Sequence, residues 1–232
     1  AVESGVRHVI TAHDNPVAVL RYATHPYWLE KPFLAPSVVR RAKYLTAVSP
    51  YIAASLRRFL RPRSEITVIP NGVTSEVFEL YGQRRRTQTG RIIFASMANS
   101  WAGLKNGRQL VKAFALLRRK LGDRVELWMF GAEHENGGVA NIWAKQRSLD
   151  AGICFMGPLP YMECLTMLAE KVDVLVHPSL EESQCMAVTE AMAIGLPVIG
   201  GKYSGAIPWV LAEGKAGMLV NVASAKEIAA GM

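Results

Sequence analysis

The sequence predicts an α/β fold whose second half forms a doubly wound parallel sheet. From residue 91 onward, short runs rich in β-branched and aromatic residues alternate with helical patterns. The strand runs, in order, are RIIFASM, VELWMF, ICFM, DVLVHPS, PVIGG and GMLVNV. Helices are expected near 105–121, 139–149, 161–170 and 184–194, with a short one after PVIGG and a last one beginning at Ser224. This alternation indicates right-handed crossovers and therefore a Rossmann-like parallel sheet.

The chain before residue 75 predicts shorter α/β elements. VRHVITAH is interpreted as a buried strand, and EITVIPNGV as a strand followed by a turn. Between them, SPYIAASLRRFL predicts a helix with Ser49 as its N-cap and Pro50 at its first position. Residues 74–90 show no sustained period and contain three consecutive arginines, so this stretch is interpreted as a linker.

These elements predict two domains joined by a linker. Two or three strands are too few for an α/β domain whose two sheet faces must be covered. The chain also begins with Ala and stops inside an apparent helix. We therefore expect residues 1–74 to be the C-terminal part of a larger N-terminal Rossmann-like domain, 75–90 to be the linker, and 91–232 to be the second Rossmann-like domain.

Composition favours a globular, cytoplasmic protein. The chain has 232 residues, of which 50% are hydrophobic, and no apolar run approaches the ~20 residues that span a bilayer. Its beginning lacks the layout of a signal peptide. Three cysteines, Cys154, Cys164 and Cys185, are too few and too irregularly spaced for a disulfide framework or a CxxC site. The five histidines form no ligand-spaced cluster, and no metal is expected.

The net charge of +8 is concentrated in the first part of the chain. Residues 1–90 hold 13 Lys and Arg against 6 Asp and Glu, whereas residues 91–232 hold 14 against 13. A basic region of this kind suits a phosphorylated acceptor, nucleic acid or the inner face of a membrane, or is simply a solvated face. No nucleic-acid recognition motif occurs, so peripheral contact with an anionic membrane is the partner that we expect.

A candidate ligand site follows the run DVLVHPS. Ligands of open α/β sheets bind beyond the carboxyl ends of the strands. The amides near residues 184–187 and the positive end of the next helix would form a phosphate cradle. Glu182 and Glu190 then suit acceptors for sugar or ribose hydroxyls, although they could instead cap or solvate a helix. Glu190 lies in the apolar run VTEAMAIG, where a carboxylate needs a structural partner or a ligand.

These segments resemble a known family. ESQCMAVTE followed by AMAIGLPVIGG is similar to the Glu-x7-Glu motif of GT-B glycosyltransferases of the retaining family 4 type. The segments HVITAHD, AVSPYIAASL, VIPNGV, LKNGRQLVKAFALL and FMGPLPYMECLTMLAEKVDVLVHPS agree with that family in order and spacing. The resemblance covers essentially the whole chain. It implies a GT-B fold and metal-independent transfer, with retention, from a UDP- or GDP-sugar to a glycan or lipid-linked acceptor, with no cofactor.

The resemblance also implies roles for individual residues. Glu182 would contact hydroxyls of the donor sugar, and Glu190 would bind the ribose. Lys105 would neutralise the diphosphate, while His13 would face the donor sugar and the acceptor. His13, Lys105 and Glu182 are thus the expected catalytic residues. The other expected donor-site residues, several acting through their backbone, are Asn99, Phe155, Met156, Gly157, Ser183, Gln184, Cys185, Met186 and Ala187.

Two positions depart from the family pattern. Asn99 stands where an arginine commonly provides a second diphosphate clamp, so Lys105 acts with less help or another cation substitutes, such as Lys202 or an arginine from the expected missing part of the N-terminal domain. Gln184 and Cys185 replace the usual Phe-Gly pair, and Cys185 would crowd the close backbone approach that glycine allows. The remaining alternatives are a GT-B epimerase or phosphorylase, a nucleotide-sugar-binding module without activity of its own, and a nucleic-acid binder.

Overall fold

The computed structural model describes residues 9–15, 37–83, 90–101 and 103–232. The chain divides into two compact units. The first unit comprises residues 1–72 together with 181–184, and the second comprises residues 73–180 together with 185–232.

The first unit is built on three parallel strands in the order β1, β2, β3. The strands are β1 Ile10–Ala12, β2 Leu45–Ala47 and β3 Ile66–Val68. The helix α1, Pro50–Phe59, connects β2 to β3 and begins as predicted, because the Ser49 hydroxyl accepts a hydrogen bond from the Ile52 amide. Buried apolar side chains of α1 pack on β2, which is itself fully buried. The part of the predicted strand VRHVITAH before Val9 lies outside the described residues.

The second unit is a six-stranded, fully parallel sheet in the order β6-β5-β4-β7-β8-β9. Its strands are β4 Ile92–Met97, β5 Val125–Phe130, β6 Ile153–Gly157, β7 Val174–His177, β8 Val198–Gly201 and β9 Met218–Val220. Its helices are α2 Ser75–Glu79, α3 Gly107–Leu121, α4 Val139–Lys145, α5 Tyr161–Lys171, α6 Met186–Ala193, α7 Ile207–Val210 and α8 Ala225–Gly231. This arrangement confirms the predicted doubly wound parallel sheet.

Apolar side chains cover both faces of this sheet. Along β4, Ile93 and Ala95 belong to the core beneath α5 and α6, whereas Phe94 belongs to the core beneath α3 and α8. Successive residues of a strand point to opposite faces, so a strand buried on both sides has a continuous apolar run. The run RIIFASM has this form, which is why it predicts a central strand.

The structure differs from the prediction at residues 75–83, which were expected to belong to the linker. Ser75–Glu79 form α2, and Leu80–Gln83 form a 3-10 turn. Val77 is fully buried and Leu80 nearly so, both in the core shared with α5 and α6. A helix of five residues is too short to show a period in the sequence, so its packing is what stabilises it. The rest of the predicted linker, residues 84–89, lies outside the described part.

In the part of the chain that the structure describes, no helix is both long and apolar enough to cross a membrane.

Candidate functional site

The sheet of the second unit reverses its strand order between β4 and β7. These neighbouring parallel strands pair at Phe94 with Val174 and at Ala95 with Leu175. From β4 the chain proceeds to β5 and β6 on one side, and from β7 to β8 and β9 on the other. Such a reversal opens a crevice at the carboxyl ends of the two strands, where open α/β sheets bind their ligands.

The loop that follows β4 is held against the end of β7. The amide of Leu180 donates to the carbonyl of Leu104 at 2.9 Å, and the side-chain amide of Asn106 donates to the carbonyl of Pro178 at 3.0 Å. Asn106 also donates to the carbonyl of Val222 at 2.7 Å. Lys105 stands between the two anchored residues and is half-buried. The fold therefore brings this predicted residue to the carboxyl end of β7.

Helix α6 presents unpaired amides at its N-terminus. Its N-cap residue, Cys185, makes no side-chain capping bond, and the first helical hydrogen bond runs from the Thr189 amide to the Cys185 carbonyl. Among the described residues, no acceptor contacts the amides of Met186, Ala187 and Val188. Unpaired amides and the positive end of the helix dipole attract anions. Two of these three amides, those of Met186 and Ala187, fall within the range 184–187 where the sequence predicts a phosphate cradle.

Residues 181–184 belong to the first unit and have partners there. The side chain of Gln184 is buried and exchanges two hydrogen bonds with the backbone of Asn71, at 2.7 and 2.8 Å. The Ser183 carbonyl accepts from the Ser49 hydroxyl at 2.5 Å. The predicted donor-site residues Ser183 and Gln184 thus make contacts within the first unit. The side-chain oxygen and nitrogen of Gln184 are both hydrogen-bonded there. Glu182 is half-buried.

Glu181, which the sequence places beside Glu182 after β7 but without a donor-site role, is a further polar centre of the first unit. Its Oε1 accepts hydrogen bonds from the Asn15 side chain at 2.6 Å and from the Tyr51 hydroxyl at 2.7 Å. Asn15 is buried and also donates to the Tyr51 hydroxyl at 2.8 Å. His13 lies two residues before Asn15 and is exposed. Asn15 directly follows His13 and Asp14, and Tyr51 lies in the first turn of α1, but no sequence pattern indicates that the two meet Glu181.

Cys185 has a backbone conformation that favours glycine. Its φ is 76°, in the left-handed region where a Cβ is unfavourable, and the family resemblance expects a glycine at this position. The half-buried thiol lies 3.3 Å from Nε2 of His177, a buried residue that ends β7. Thiol and imidazole groups both bind zinc. The eight-residue separation of this pair gave no ligand-spacing signal, and only the β7–α6 connection brings the two together.

Glu190 is buried, with 6% of its surface exposed, and one of its carboxylate oxygens has a structural partner. The Tyr161 hydroxyl donates to Oε1 of Glu190 at 2.8 Å. Burial, followed by this bond and the charge of Glu190, raises the pKa of Tyr161 to about 12. A carboxylate accepts up to about four hydrogen bonds, so the tyrosine leaves capacity for other donors. Tyr161 was missed because a tyrosine at the start of a helix carries no functional signal of its own.

Residues 155–157, which the resemblance places in the donor site, end β6 and are hydrogen-bonded to the loop after β5. The Gly157 amide donates to the His134 carbonyl at 3.1 Å, and the Gly131 amide donates to the Gly157 carbonyl at 2.8 Å. The side chains of Phe155 and Met156 pack against the cores on opposite faces of the sheet. This leaves backbone groups as the polar atoms of this segment.

The position where the family has a second cationic clamp is occupied by Asn99. It is exposed just after β4 and carries no charge. The Lys202 ammonium lies 3.4 Å from a carboxylate oxygen of Glu227 and 5.1 Å from the ring centre of Tyr203. Lys202 thus pairs with Glu227 at the surface, and its substitution for the missing arginine stays a prediction.

Comparison with known proteins identifies the class and then the family. The fold is that of the GT-B glycosyltransferases. The chain belongs to the family described as Glycosyl transferases group 1, whose model matches residues 83–232, and the model described as Glycosyltransferase Family 4 matches residues 1–77.

Two curated relatives are similar over much of the chain. A D-inositol 3-phosphate glycosyltransferase of Stackebrandtia nassauensis is 29% identical over 168 residues, which cover 68% of this chain and 38% of the relative. An MMP alpha-(1->4)-mannosyltransferase of Mycolicibacterium hassiacum is 29% identical over 231 residues, covering 97% and 54%. The chain thus spans about half or less of the length of these relatives.

Among solved structures, Anabaena Alr3699/HepE in complex with UDP and glucose has a similar fold. It superposes with a TM-score of 0.73 at 19% sequence identity, covering 96% of this chain and 60% of that protein. At this identity, the likeness concerns the fold alone.

Proposed function

We propose that this chain binds the nucleotide-sugar donor of a glycosyltransferase, and that the whole protein transfers the sugar to its acceptor with retention and without a metal ion. The observation that carries the proposal is the set of unpaired amides at 186–188, which begin α6 at the carboxyl edge of the sheet. A nucleoside diphosphate supplies the anionic oxygens that such amides bind.

The chemistry of transfer suits these groups. Breaking the bond between sugar and diphosphate leaves negative charge on the departing diphosphate. The Lys105 ammonium and the N-terminus of α6 would stabilise that charge electrostatically, with no divalent ion needed. Glu190 would accept hydrogen bonds from the ribose. Glu182 would hold the donor sugar, and His13 would act beside it, as the family resemblance implies.

The donor is proposed to be a UDP- or GDP-sugar. The Anabaena structure contains UDP and glucose, which supports a nucleoside diphosphate as the ligand. The curated relatives are named for different transfers, one of them of mannose. Both nucleotides therefore belong in a first test, and the acceptor is proposed only as a glycan or a lipid-linked molecule.

Calorimetric titration with UDP and GDP, each with EDTA or with magnesium, tests the proposal. We expect one nucleotide to bind with similar affinity in both conditions. Binding that disappears with EDTA would refute the metal-free proposal. Binding of neither nucleotide would refute the donor site itself. Nucleotide binding by this chain without transfer by a full-length version would favour the alternative of a binding module.

We also propose that the basic surface of the first unit contacts an anionic membrane. Arg57 and Arg58 are exposed in the last turn of α1, and Arg61 follows it. The Arg40 guanidinium donates to the Leu60 carbonyl at 3.1 Å, which places a further basic segment beside this turn. Clustered cations of this kind attract anionic lipids. Co-sedimentation with vesicles should rise with anionic lipid content and fall with salt, and an indifference to both would refute the contact.

A further inference from the structure

We propose that hydrogen bonds of the first unit to the segment 181–184 position Glu182 for recognition of the donor sugar, with Asn15 and Glu181 as the principal positioning residues. The inference rests on the proposed function, because Glu182 is the residue proposed to hold the sugar. It goes beyond the family resemblance, which implies no role for Asn15, Tyr51 or Glu181.

The segment lies in the connection between β7 and α6 but belongs to the first unit. Leu180 before it and Cys185 after it belong to the second unit. None of its four residues lies in a helix or a strand. The regular backbone hydrogen bonds that fix a helix or a strand are therefore not available to this segment. Its contacts within the first unit determine the position of its backbone, and so of the Glu182 side chain that it carries.

The first anchor of the segment is the side chain of Glu181, directly before Glu182. Its Oε1 accepts hydrogen bonds from the Asn15 side chain at 2.6 Å and from the Tyr51 hydroxyl at 2.7 Å. Asn15 is buried and also donates to the Tyr51 hydroxyl at 2.8 Å, so the two donors are fixed relative to each other. Hydrogen bonds to a charged acceptor are about twice as strong as neutral ones. Together they restrict the rotation of the Glu181 side chain.

The second anchor follows Glu182. The Ser183 carbonyl accepts from the Ser49 hydroxyl at 2.5 Å. The buried side chain of Gln184 accepts from the Asn71 amide at 2.7 Å and donates to the Asn71 carbonyl at 2.8 Å. The phenylalanine that the family resemblance expects at position 184 has no polar atom for these two bonds. Anchors on both sides therefore hold the backbone of Glu182.

These anchors should affect a nucleotide sugar and a bare nucleotide differently. The amides at 186–188, which are proposed to bind the diphosphate, belong to the second unit. A side chain that is already held in its binding position loses less conformational entropy when the ligand binds. Release of Glu181 from Asn15 should therefore reduce the affinity that the sugar contributes through Glu182, and leave the affinity for the nucleotide itself.

An isosteric exchange of two side chains tests the inference. Asn15→Asp replaces the amide that donates to Glu181 by a second carboxylate, and the two like charges repel each other. In Asn15→Asp/Glu181→Gln the amide and the carboxylate change places, so the hydrogen bond forms again in the opposite direction. Thr46→Val is the matched control, because it removes the 2.8 Å bond between the Thr46 and Thr11 hydroxyls, which lies in the same unit and involves no residue of the segment.

Calorimetric titration of the whole chain with UDP, UDP-glucose, GDP and GDP-mannose gives the measurement. Asn15→Asp should lower affinity for the nucleotide sugar that the wild type binds by about tenfold, and change affinity for the bare nucleotide by less than about threefold. The double variant should regain the affinity for the nucleotide sugar, and Thr46→Val should keep it. Thermal unfolding of each variant shows that it is folded. If Asn15→Asp does not fold, Tyr51→Phe, which removes one of the two bonds to Glu181, should show the same selective loss at a smaller size.

Three outcomes would overturn the inference alone: unchanged affinity for the nucleotide sugar in the folded single variants, an equal loss for the sugar-bearing and the bare ligand, or no recovery in the double variant. In each of them the wild type still binds the nucleotide, so the proposed donor site stands. If the wild type binds none of the four ligands, the proposed function fails, and the positioning of Glu182 for a sugar fails with it.

Discussion

The hydroxyl of Tyr161 donates a hydrogen bond to Oε1 of Glu190 across 2.8 Å, joining the first turn of α5 to the interior of α6. This bond satisfies part of the hydrogen-bonding capacity of the buried Glu190 carboxylate without any ligand. Tyr161→Phe should therefore lower the free energy of unfolding by about 1 kcal/mol, at the modest end of such bonds because the tyrosine is half-exposed. Chemical denaturation of both proteins measures the difference.

Nucleotide affinity shows whether Tyr161 has a structural role or binds the ligand. The affinity of Tyr161→Phe for nucleotide should stay within about threefold of wild type, since the Glu190 carboxylate remains available to a ribose. A loss as large as that of a Glu190 variant would place Tyr161 itself in the binding site.

Removal of the Glu190 carboxylate should weaken nucleotide binding directly. A hydrogen bond to a charged group contributes roughly 1.5–3 kcal/mol, so Glu190→Ala should reduce affinity for UDP or GDP by about tenfold or more. Glu190→Gln keeps the size and loses the charge, and its affinity should also fall. Calorimetric titration beside thermal unfolding measures both effects. If Glu190→Ala loses thermal stability and keeps its affinity, the ribose assignment is wrong.

Glu182→Ala is the matched comparison for a residue proposed to hold the sugar. It should leave affinity for the bare nucleotide nearly unchanged and abolish transfer by the full-length enzyme. Equal loss of nucleotide affinity in the Glu182 and Glu190 variants would contradict the division of roles between them.

Alkaline pH should reveal the contact between Tyr161 and Glu190. The folded-state pKa of Tyr161, about 12, lies above its ordinary value of 10.0, so the neutral hydroxyl is favoured in the folded protein. Its stabilising contribution is complete below pH 10 and is lost as the pH rises through 12. Tyrosinate absorbance should show one late-titrating tyrosine that is missing in Tyr161→Phe. Identical titration of the two proteins would contradict the shift.

Substitution of two glycines distinguishes the cost of a steric clash with the backbone from the cost of a positive φ alone. Both have positive φ, but a Cβ on Gly131 would lie 2.0 Å from the Ala98 carbonyl oxygen, whereas a Cβ on Gly137 meets nothing within 4 Å. Gly131→Ala should cost more than about 3 kcal/mol of stability and reduce soluble expression. Gly137→Ala should cost about 1 kcal/mol. Equal denaturation midpoints would mean that the loops after β4 and β5 are not packed as described.

Two substitutions of Asn106 distinguish the loss of hydrogen bonds from backbone strain in the loop that carries Lys105. Its φ is 56°, and its side chain donates to the carbonyls of Pro178 and Val222. Asn106→Gly loses the two hydrogen bonds but adopts the positive φ without strain. Asn106→Ala loses the same hydrogen bonds and is also strained at this φ. We expect both variants to bind nucleotide more weakly, with Ala about 1 kcal/mol less stable than Gly. Wild-type nucleotide affinity in both would show that Lys105 does not depend on this anchor.

The sheet of the second unit could be predicted because its strands are continuous apolar runs. A strand covered on both faces, as at Ile93, Phe94 and Ala95, has apolar residues at successive positions, and such a run is readily recognised as a strand. Helix α2 could not be predicted, since five residues with one fully buried valine, Val77, depend on packing that sequence does not contain. The same limit explains why the end of α4 was placed beyond Lys145: Ser148 has a φ of 52°, which no propensity indicates.

The half-burial of Lys105 in the loop after β4 and the burial of Glu190 agree with the sequence, whereas their roles stay predictions. The contacts that hold them could not be predicted, because they join distant segments: Tyr161 meets Glu190, and Asn106 meets Val222. Gln184 makes another contact of this kind. Its expected role concerned the backbone, and its side-chain amide pairs with the backbone of Asn71.

The hydrogen bond from the Leu180 amide to the Leu104 carbonyl has a consequence for engineering. It couples two connecting segments that are far apart in the chain, so neither can be lengthened or shortened without moving the other. A graft that exchanges the β4–α3 loop of this protein for that of a relative would mismatch the backbone at Leu180. A graft that exchanges both loops together would preserve the pairing of the two segments.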